Sequence, residues 1–342
     1  MSLQKPYHIK GKDFERAYKD YLSDFRTWKH LGHASKYLIF PRNLGPNVTI
    51  DETALSDGEL YTIISNKDAH GGKGALIAIV KGTKVEDVVE ALNRIFWYER
   101  SKVLEITMDF SASMHSIATQ CFPYAMITLD RFHVQKDCYD AMQQLRISHL
   151  KEAKKAEIEA REQHRLRNKR NKAHRKQGKK DPRGRKPNRA NERYEPRLSN
   201  GDTLPELLAR SRYLLMVSAE KWTQSQKTRA KILFELYPDI QTTYSLCHSL
   251  RMIFSNPKAT KESARESMKK WYNKIAEVEN DAFNTVAATI YQREDEILNY
   301  FINRATNAAA ESLNAKIKNF RAQLHGVVDV DFFLYRLSMI FG

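Results

Sequence analysis

The sequence predicts an α/β fold: a three-stranded meander, two strand–helix crossover units, a largely α-helical insertion and a final helical stretch. Three observations predict it. Short apolar runs separated by turn chemistry fill residues 48–80, and strand-like and helix-like runs alternate over 84–147. From Thr203 to about Ile302 the texture is almost wholly helical.

Each element has its own justification. Residues 12–30, KDFERAYKDYLSDFRTWKH, space Phe14, Tyr18, Tyr21, Leu22 and Phe25 at helical intervals, which predicts one amphipathic helix. A turn-rich stretch, PRNLGPN, follows. The runs VTIDE, ELYTIIS and GALIAIV are then separated by Ser-Asp-Gly and His-Gly-Gly-Lys-Gly, both turn formers. After them, KVEDVVEALNRIFWYE reads as a helix, VLEITMD as a strand, SASMHSIATQCF as a helix, AMITLD as a strand and FHVQKDCYDAMQQLRI as a helix. The order β-β-β-α-β-α-β-α is that of a ribonuclease-H-like fold, and its two crossovers require parallel pairing beside the meander. KEAKKAEIEAREQHRLRNKRNKAHRK has a helical composition, whereas QGKKDPRGRKPNRAN is broken by Pro182, Gly184 and Pro187. Within the helical stretch, Trp222, Phe234, Tyr237, Leu246, Leu250, Phe254, Trp271 and Phe301 are expected to be buried. The expected organisation is a helical segment (1–44), the first part of the core (45–150), a basic linker or DNA-binding segment (151–200), an α-helical insertion (201–295) and the last part of the core (296–342).

Charge points to a polyanion. The chain carries a formal charge of +16, and residues 151–197 hold 19 Lys/Arg against 7 Asp/Glu, a net +12. Such a run suits nucleic-acid phosphates, and a solvated basic spacer is compatible with the same composition. Within it, PRGRKP at 182–187 has the form of a minor-groove hook with Arg183, Arg185 and Lys186 as contacts; a non-specific basic linker is the other reading. The three cysteines are scattered with no C-x-x-C pair, which fits a reducing cytoplasm and argues against a zinc ribbon in this chain. No signal-peptide apolar region opens the chain, and no run approaches the roughly 18 apolar residues that span a bilayer. A cytoplasmic protein without a membrane partner is expected, nucleoid-associated when on DNA.

The chemistry rests on acids at strand ends, where side chains meet solvent on a rigid support. Asp51 follows VTI, Asp109 follows VLEITM and Asp130 follows AMITL, with His133 three residues later. In TNAAAESLNAKIKNF, Asn307, Glu311, Asn314 and Lys318 share one helical face, beside an apolar stripe of Ala310, Leu313, Ile317 and Phe320. Hard divalent cations take carboxylate oxygens, and two metals about 4 Å apart suit phosphodiester chemistry. Acids after strands also serve as turn formers and helix caps, so strand order alone does not select which three act. Glu52 is expected on the opposite face of its strand; Glu105, Asp57 and Asp68 are expected to be structural or solvent-facing. Asn307, Asn314, Lys318 and Arg321 are candidates for DNA phosphates, the asparagines alternatively for orienting Glu311.

IDETALSDGELYTIISNKD, ITMDFSASMHSIATQCFPYAMITLDRFHVQK and NRATNAAAESLNAKIKNFRAQLHGVVDVDFFLYRL together resemble bacterial insertion-sequence transposases of the ISL-three family. The resemblance extends from about Tyr18 over nearly the whole chain and is nearest to the subgroup whose DNA-binding region is separately encoded. It implies a DDE transposase that cleaves DNA at transposon ends and transfers the strand into target DNA. Asp51, Asp109 and Glu311 would be its catalytic and metal-holding residues, with two Mg²⁺ ions that Mn²⁺ can replace. It also implies a signature of Asp130 and His133 supporting the site, a homodimer on DNA, and possibly a separate helix-turn-helix protein as partner. Met114, Ala308 and Ser312 depart from residues common in the family, and none of these changes removes a carboxylate. The zinc ribbon and helix-turn-helix of longer relatives are absent from the N-terminal part. A ribonuclease-H-like nuclease without strand transfer and a non-catalytic DNA-binding derivative are the alternatives.

Overall fold

The computed structural model describes residues 7–8, 10–56, 58–177, 196–278, 280–324 and 327–342. The chain divides into two compact units, one formed by 1–134, 259–264 and 292–342 and the other by 135–258 and 265–291.

The first unit holds the sheet. Its elements are α1 (Gly11–Ala17), β1 (Tyr37–Ile39), β2 (Asn47–Ser56), β3 (Glu59–Asn66), β4 (Leu76–Lys81), α2 (Val85–Leu92), α3 (Trp97–Arg100), β5 (Glu105–Met108), α4 (Ala112–Cys121) and β6 (Met126–Leu129). The strands lie in the order β1-β4-β3-β2-β5-β6. β2, β3 and β4 form the antiparallel meander, and β5 and β6 continue it in parallel beside β2. That is the order the ribonuclease-H-like reading requires. Leu76–Val80 is buried throughout because β4 lies between two other strands and is covered, which is why it reads as an unbroken apolar run.

Two expectations for the N-terminal stretch are corrected. A sixth strand, β1, pairs antiparallel with β4 through Leu38 and Ile79, inside the segment expected to be helical. Three residues ending before Phe40-Pro41 are too short for a periodic signal, and their pairing is non-local. The single helix expected over 12–30 is instead α1, a π turn (Tyr18–Leu22) and a 3₁₀ turn (Asp24–Thr27). Phe25 is buried there against Phe332 and Tyr335, whereas Tyr21 and Leu22 stand in solvent.

After β6 the chain enters α5 (Arg131–Gln177), a continuous helix of 47 residues, about 70 Å long at the α-helical rise. It begins in the sheet unit and continues into the second. The expected helix at 132–147 and the helix-prone basic stretch are thus one element. The rest of the second unit contains α6 (Leu204–Arg210), α7 (Gln224–Leu236), α8 (Pro238–Ser255), most of α9 (Lys261–Ala276) and α10 (Asp281–Gln292). Capping boxes of Thr203 with Glu206 and of Thr223 with Gln226 start α6 and α7. Leu246, Leu250, Phe254 and Trp271 are buried as expected, and the Trp271 indole N–H donates to Leu246 O at 3.0 Å. Trp222, Phe234 and Tyr237 are only half-buried and form the flank of that core, Trp222 and Phe234 grouping around Tyr244.

The chain then returns to the sheet unit with α11 (Glu294–Leu298), α12 (Tyr300–Asn303), α13 (Ala308–Gln323) and α14 (Val330–Phe341). Leu313 and Ile317 of α13 join Leu55, Ile63, Leu76 and Phe333 in the core beside the meander. The apolar stripe seen in the sequence is what docks α13.

Candidate active site

Strand register places three acids side by side. Ile50 of β2 pairs with Met108 of β5, and Met108 pairs with Leu129 of β6. Asp51, Asp109 and Asp130 each stand one residue beyond these aligned pairs; Asp109 and Asp130 follow the carboxyl ends of β5 and β6, whereas Asp51, expected at a strand end, lies within β2, which runs on to Ser56. Side chains at matched positions of parallel strands share a face. The row is therefore dictated by register, and the register by burial of Val48, Ile50, Ile106 and Met108.

Asp130 is 1% exposed and caps α5: its Oδ1 accepts from the Phe132 N–H at 3.0 Å. His133, one turn into α5, lies between two of the acids. Its Nε2 is 3.1 Å from Asp109 Oδ2, and its Nδ1 is 3.8 Å from Asp130 Oδ2. Among the described residues, Asp109, Asp130 and His133 form a group whose ligand atoms lie within 4.8 Å of one another.

Helix α13 closes the row from the other side. The Asn307 amide donates to Asp109 Oδ1 at 2.9 Å, and the Asn314 amide donates to Asp51 Oδ2 at 2.5 Å. Both asparagines are buried. Glu311 lies between them on the same face, four residues after one and three before the other, and it is exposed. The amides thus span the two aspartates and hold the glutamate's turn of helix beside them. Lys318 continues the face into solvent and Arg321 is half-buried. Asn307 and Asn314 direct their amides at carboxylates rather than outward.

The two preceding helices approach in the same manner. The Asn299 amide donates to Ile127 O of β6 at 2.7 Å, and the Asn303 amide donates to Glu105 Oε2 of β5 at 2.9 Å. Asn299, Asn303, Asn307 and Asn314 therefore tie the returning chain to β6, β5, the end of β5 and β2 in turn. Glu105 is buried and structural, receiving also Thr128 Oγ1 at 3.2 Å and facing Lys67 at 3.6 Å. Asp68 is exposed and accepts from Asn47. Asp57, Arg183, Arg185 and Lys186 lie outside the described residues.

Electrostatics joins Asp51 to the same field. Burial, and then the Asp109 charge, push its carboxyl up to about 6. Glu52 lies in β2 where the strand continues, opposite Thr62, and its carboxyl is also raised, by burial first and by Asp109 second. Two adjacent acids, Asp-Glu, were the available signal for it. Lys67, Asn299 and Asn303 carried no sequence signal, because their roles arise only when distant segments meet.

This donor set fits a divalent cation. Carboxylate oxygens are hard ligands, the Asp51 carboxyl is raised by burial and then by the neighbouring Asp109 charge, and Asp130 Oδ2 is buried without a hydrogen-bond partner. Asp51 and Glu311 stand outside the compact Asp109–Asp130–His133 group; Asp51 is tied to α13 through Asn314, and Glu311 shares the helix face of Asn307 and Asn314.

Comparison with known proteins gives one positive result. Neither curated proteins nor solved structures provide a match. The family model for DDE transposases of the ISL-three (ISL3) type, described as Transposase, matches residues 48–337, a span that begins at β2 and ends within α14. With the aspartate row, the α13 clamp and the whole of the second unit inside that span, the chain belongs to the ISL3 family of DDE transposases.

Proposed function

We propose that this transposase acts by metal-dependent phosphodiester cleavage at transposon ends followed by strand transfer, with Asp51, Asp109 and Glu311 as the catalytic carboxylates. The observation that carries the reading is the pair of amide bonds from Asn307 to Asp109 and from Asn314 to Asp51. They join the helix that carries Glu311 to two aspartates from distant parts of the chain, with Glu311 between the two asparagines in sequence, which supports counting it with them.

Two divalent cations, Mg²⁺ or its substitute Mn²⁺, would be held by these carboxylates and would supply positive charge to the scissile phosphate and its leaving oxygen. The protein's own contribution is order. Asn307 and His133 occupy one oxygen each of Asp109, so that carboxylate has a fixed orientation. Asn314 and the Glu52 N–H do the same for Asp51. Asp130 anchors the start of α5 and with it the imidazole. Lys318 and Arg321, further along the Glu311 helix, suit the DNA backbone. The basic run of 151–197, with PRGRKP inside it, supplies sequence-independent affinity for DNA. Pairing two ends calls for two copies of the chain, and a separate helix-turn-helix protein would provide end recognition.

Glu311→Gln tests the assignment, because it keeps size and polarity and removes the charge. Fold and DNA binding should persist while cleavage falls by at least about a thousandfold. Cleavage at the wild-type rate in Mg²⁺ or Mn²⁺ would remove Glu311 from the site. Pre-cleaved ends with a free 3′-hydroxyl distinguish a transposase from a simple nuclease: joined products are expected, and hydrolysis alone would support the nuclease reading.

A further inference from the structure

Between Asp130 and His133 the chain carries Arg131 and Phe132, and the Phe132 ring stands 54% exposed. A lone exposed apolar side chain is ordinary. This one is fixed from two directions. Asp130 holds its backbone: Oδ1 accepts from the Phe132 N–H at 3.0 Å, and the Asp130 carbonyl accepts from the His133 N–H at 3.1 Å. One turn of helix therefore sets both the imidazole of the site and the exposed ring.

The ring is also backed. The Arg131 guanidinium carbon lies 4.7 Å from the Phe132 ring centroid and 4.8 Å from that of Tyr300 in α12. Tyr300 is buried, and the Arg304 guanidinium lies 5.3 Å from its centroid and 4.9 Å from that of Phe301. Arg304 closes α12 with φ +60° and donates to Ala259 O at 2.7 Å. Rings and guanidinium groups thus alternate in the order Phe301, Arg304, Tyr300, Arg131, Phe132. The first ring is buried and the last stands in solvent. Each contact draws a cation to an aromatic ring. A ring held in this way loses little entropy when a second planar group covers it.

The surroundings select what covers it. Asp130 and, through His133, Asp109 put carboxylates beside the turn that carries Phe132, which disfavours an anion on the ring itself. A neutral planar group is suited, and DNA brought to the aspartates carries one on every nucleotide. A base inside the duplex is covered on both faces by its neighbours, so only a base that has left the stack can lie on Phe132. Every base has a π face, and such a contact tolerates any sequence.

We propose that Phe132 is a stacking platform for an unpaired nucleobase beside the scissile phosphate. This rests on the reading of the chain as a DNA-cleaving transposase and adds a contact to a base where the other contacts are to the backbone.

Binding of the full chain, in chelator, to two otherwise identical duplexes tests this without cleavage: one is fully paired and the other holds a single unpaired 2-aminopurine. Wild type should bind the second at least about fivefold more tightly, and 2-aminopurine emission should fall as the base stacks. Phe132→Leu keeps apolar bulk and removes the π face. It should abolish the preference and the quenching, while affinity for the paired duplex stays within about twofold because phosphate contacts carry it. Phe132→Trp should retain or strengthen both. Glu311→Gln should keep the preference, so a failed cleavage assay and a failed stacking site are told apart. Circular dichroism and the thermal midpoint monitor the fold; should Phe132→Leu not fold, the wild-type comparison and Phe132→Trp carry the test. A wild-type chain indifferent to the unpaired base overturns the proposal. So does a preference that survives Phe132→Leu, or a loss in that variant that is equal on both duplexes.

Discussion

Asp51 shows what the site costs the fold. Its carboxyl is raised from an ordinary 3.8 to about 6, by burial first and by Asp109 second. A raised acid binds its proton more tightly folded than unfolded. Stability from this group is therefore greatest below the unfolded pKa and is lost as pH rises from about 4 through about 6. At pH 7, without metal, ionising it costs on the order of 3 kcal/mol. Asp51→Asn keeps the shape and removes the charge. That variant should be inactive yet more stable than wild type at pH 7 in chelator, with the gain fading as pH falls towards 4. Thermal midpoints across that range measure it; equal midpoints at pH 7 would mean that burial and Asp109 do not hold the carboxyl up. Glu52 is raised for the same reasons, and sequence alternation alone could not see that. Alternation assigns a face but says nothing of burial or of which charges stand nearby. Similarly, Asn307 and Asn314 were visible as polar residues on the face of Glu311, while their bonds to Asp109 and Asp51 depend on where α13 docks.

At the scale of elements, α13 is placed by its apolar stripe and trimmed by the turn between β3 and β4. Gly71 has φ +67°, and a Cβ built there would lie 3.3 Å from Leu313 N and from Ser312 Oγ, the residues just after Glu311. Lys316 Nζ also donates to Gly71 O at 2.7 Å. Gly71→Ala should thus do two things: strain the backbone by about 1–2 kcal/mol and push the Glu311 turn away from the aspartates. Gly82, at φ +87° with open space around its Cβ, is the control. Both substitutions should lower the thermal midpoint, but only Gly71→Ala should slow single-turnover cleavage, by about tenfold or more. Equal cleavage in the two would show that the turn does not set the helix. The same elements explain what was legible. Periodicity disclosed β2 to β6 and the docking stripe of α13, since those signals are local. It missed β1, whose three residues are made a strand by β4, and it joined 12–30 into one helix where Phe25 is fully buried, with Tyr18 and Trp28 packed beside it.

Across the whole molecule, the carboxylates belong to the sheet unit and most of the positive charge to a run that begins in α5. Of a net +16, +12 lies in residues 151–197. Each phosphate neutralised by a basic side chain releases counterions, so affinity should fall with salt in proportion to the contacts made. Lys154, Lys155, Arg165, Arg167, Lys169 and Arg170 are exposed along α5. Replacing all six by Gln removes charge while keeping helix-forming side chains. If all six meet phosphates, the slope of log affinity against log salt should fall by roughly 5. The loss should be the same for every DNA sequence, because backbone contacts carry no sequence information. Chemistry should respond differently. At saturating DNA the cleavage rate should stay near wild type, since the substitutions leave Asp51, Asp109, Glu311 and their amide partners untouched. A salt slope unchanged by the replacement would make the run a spacer. A sequence-dependent loss would instead assign specific readout to α5. A uniform loss with chemistry retained would make this run the source of general affinity and leave end recognition to other contacts.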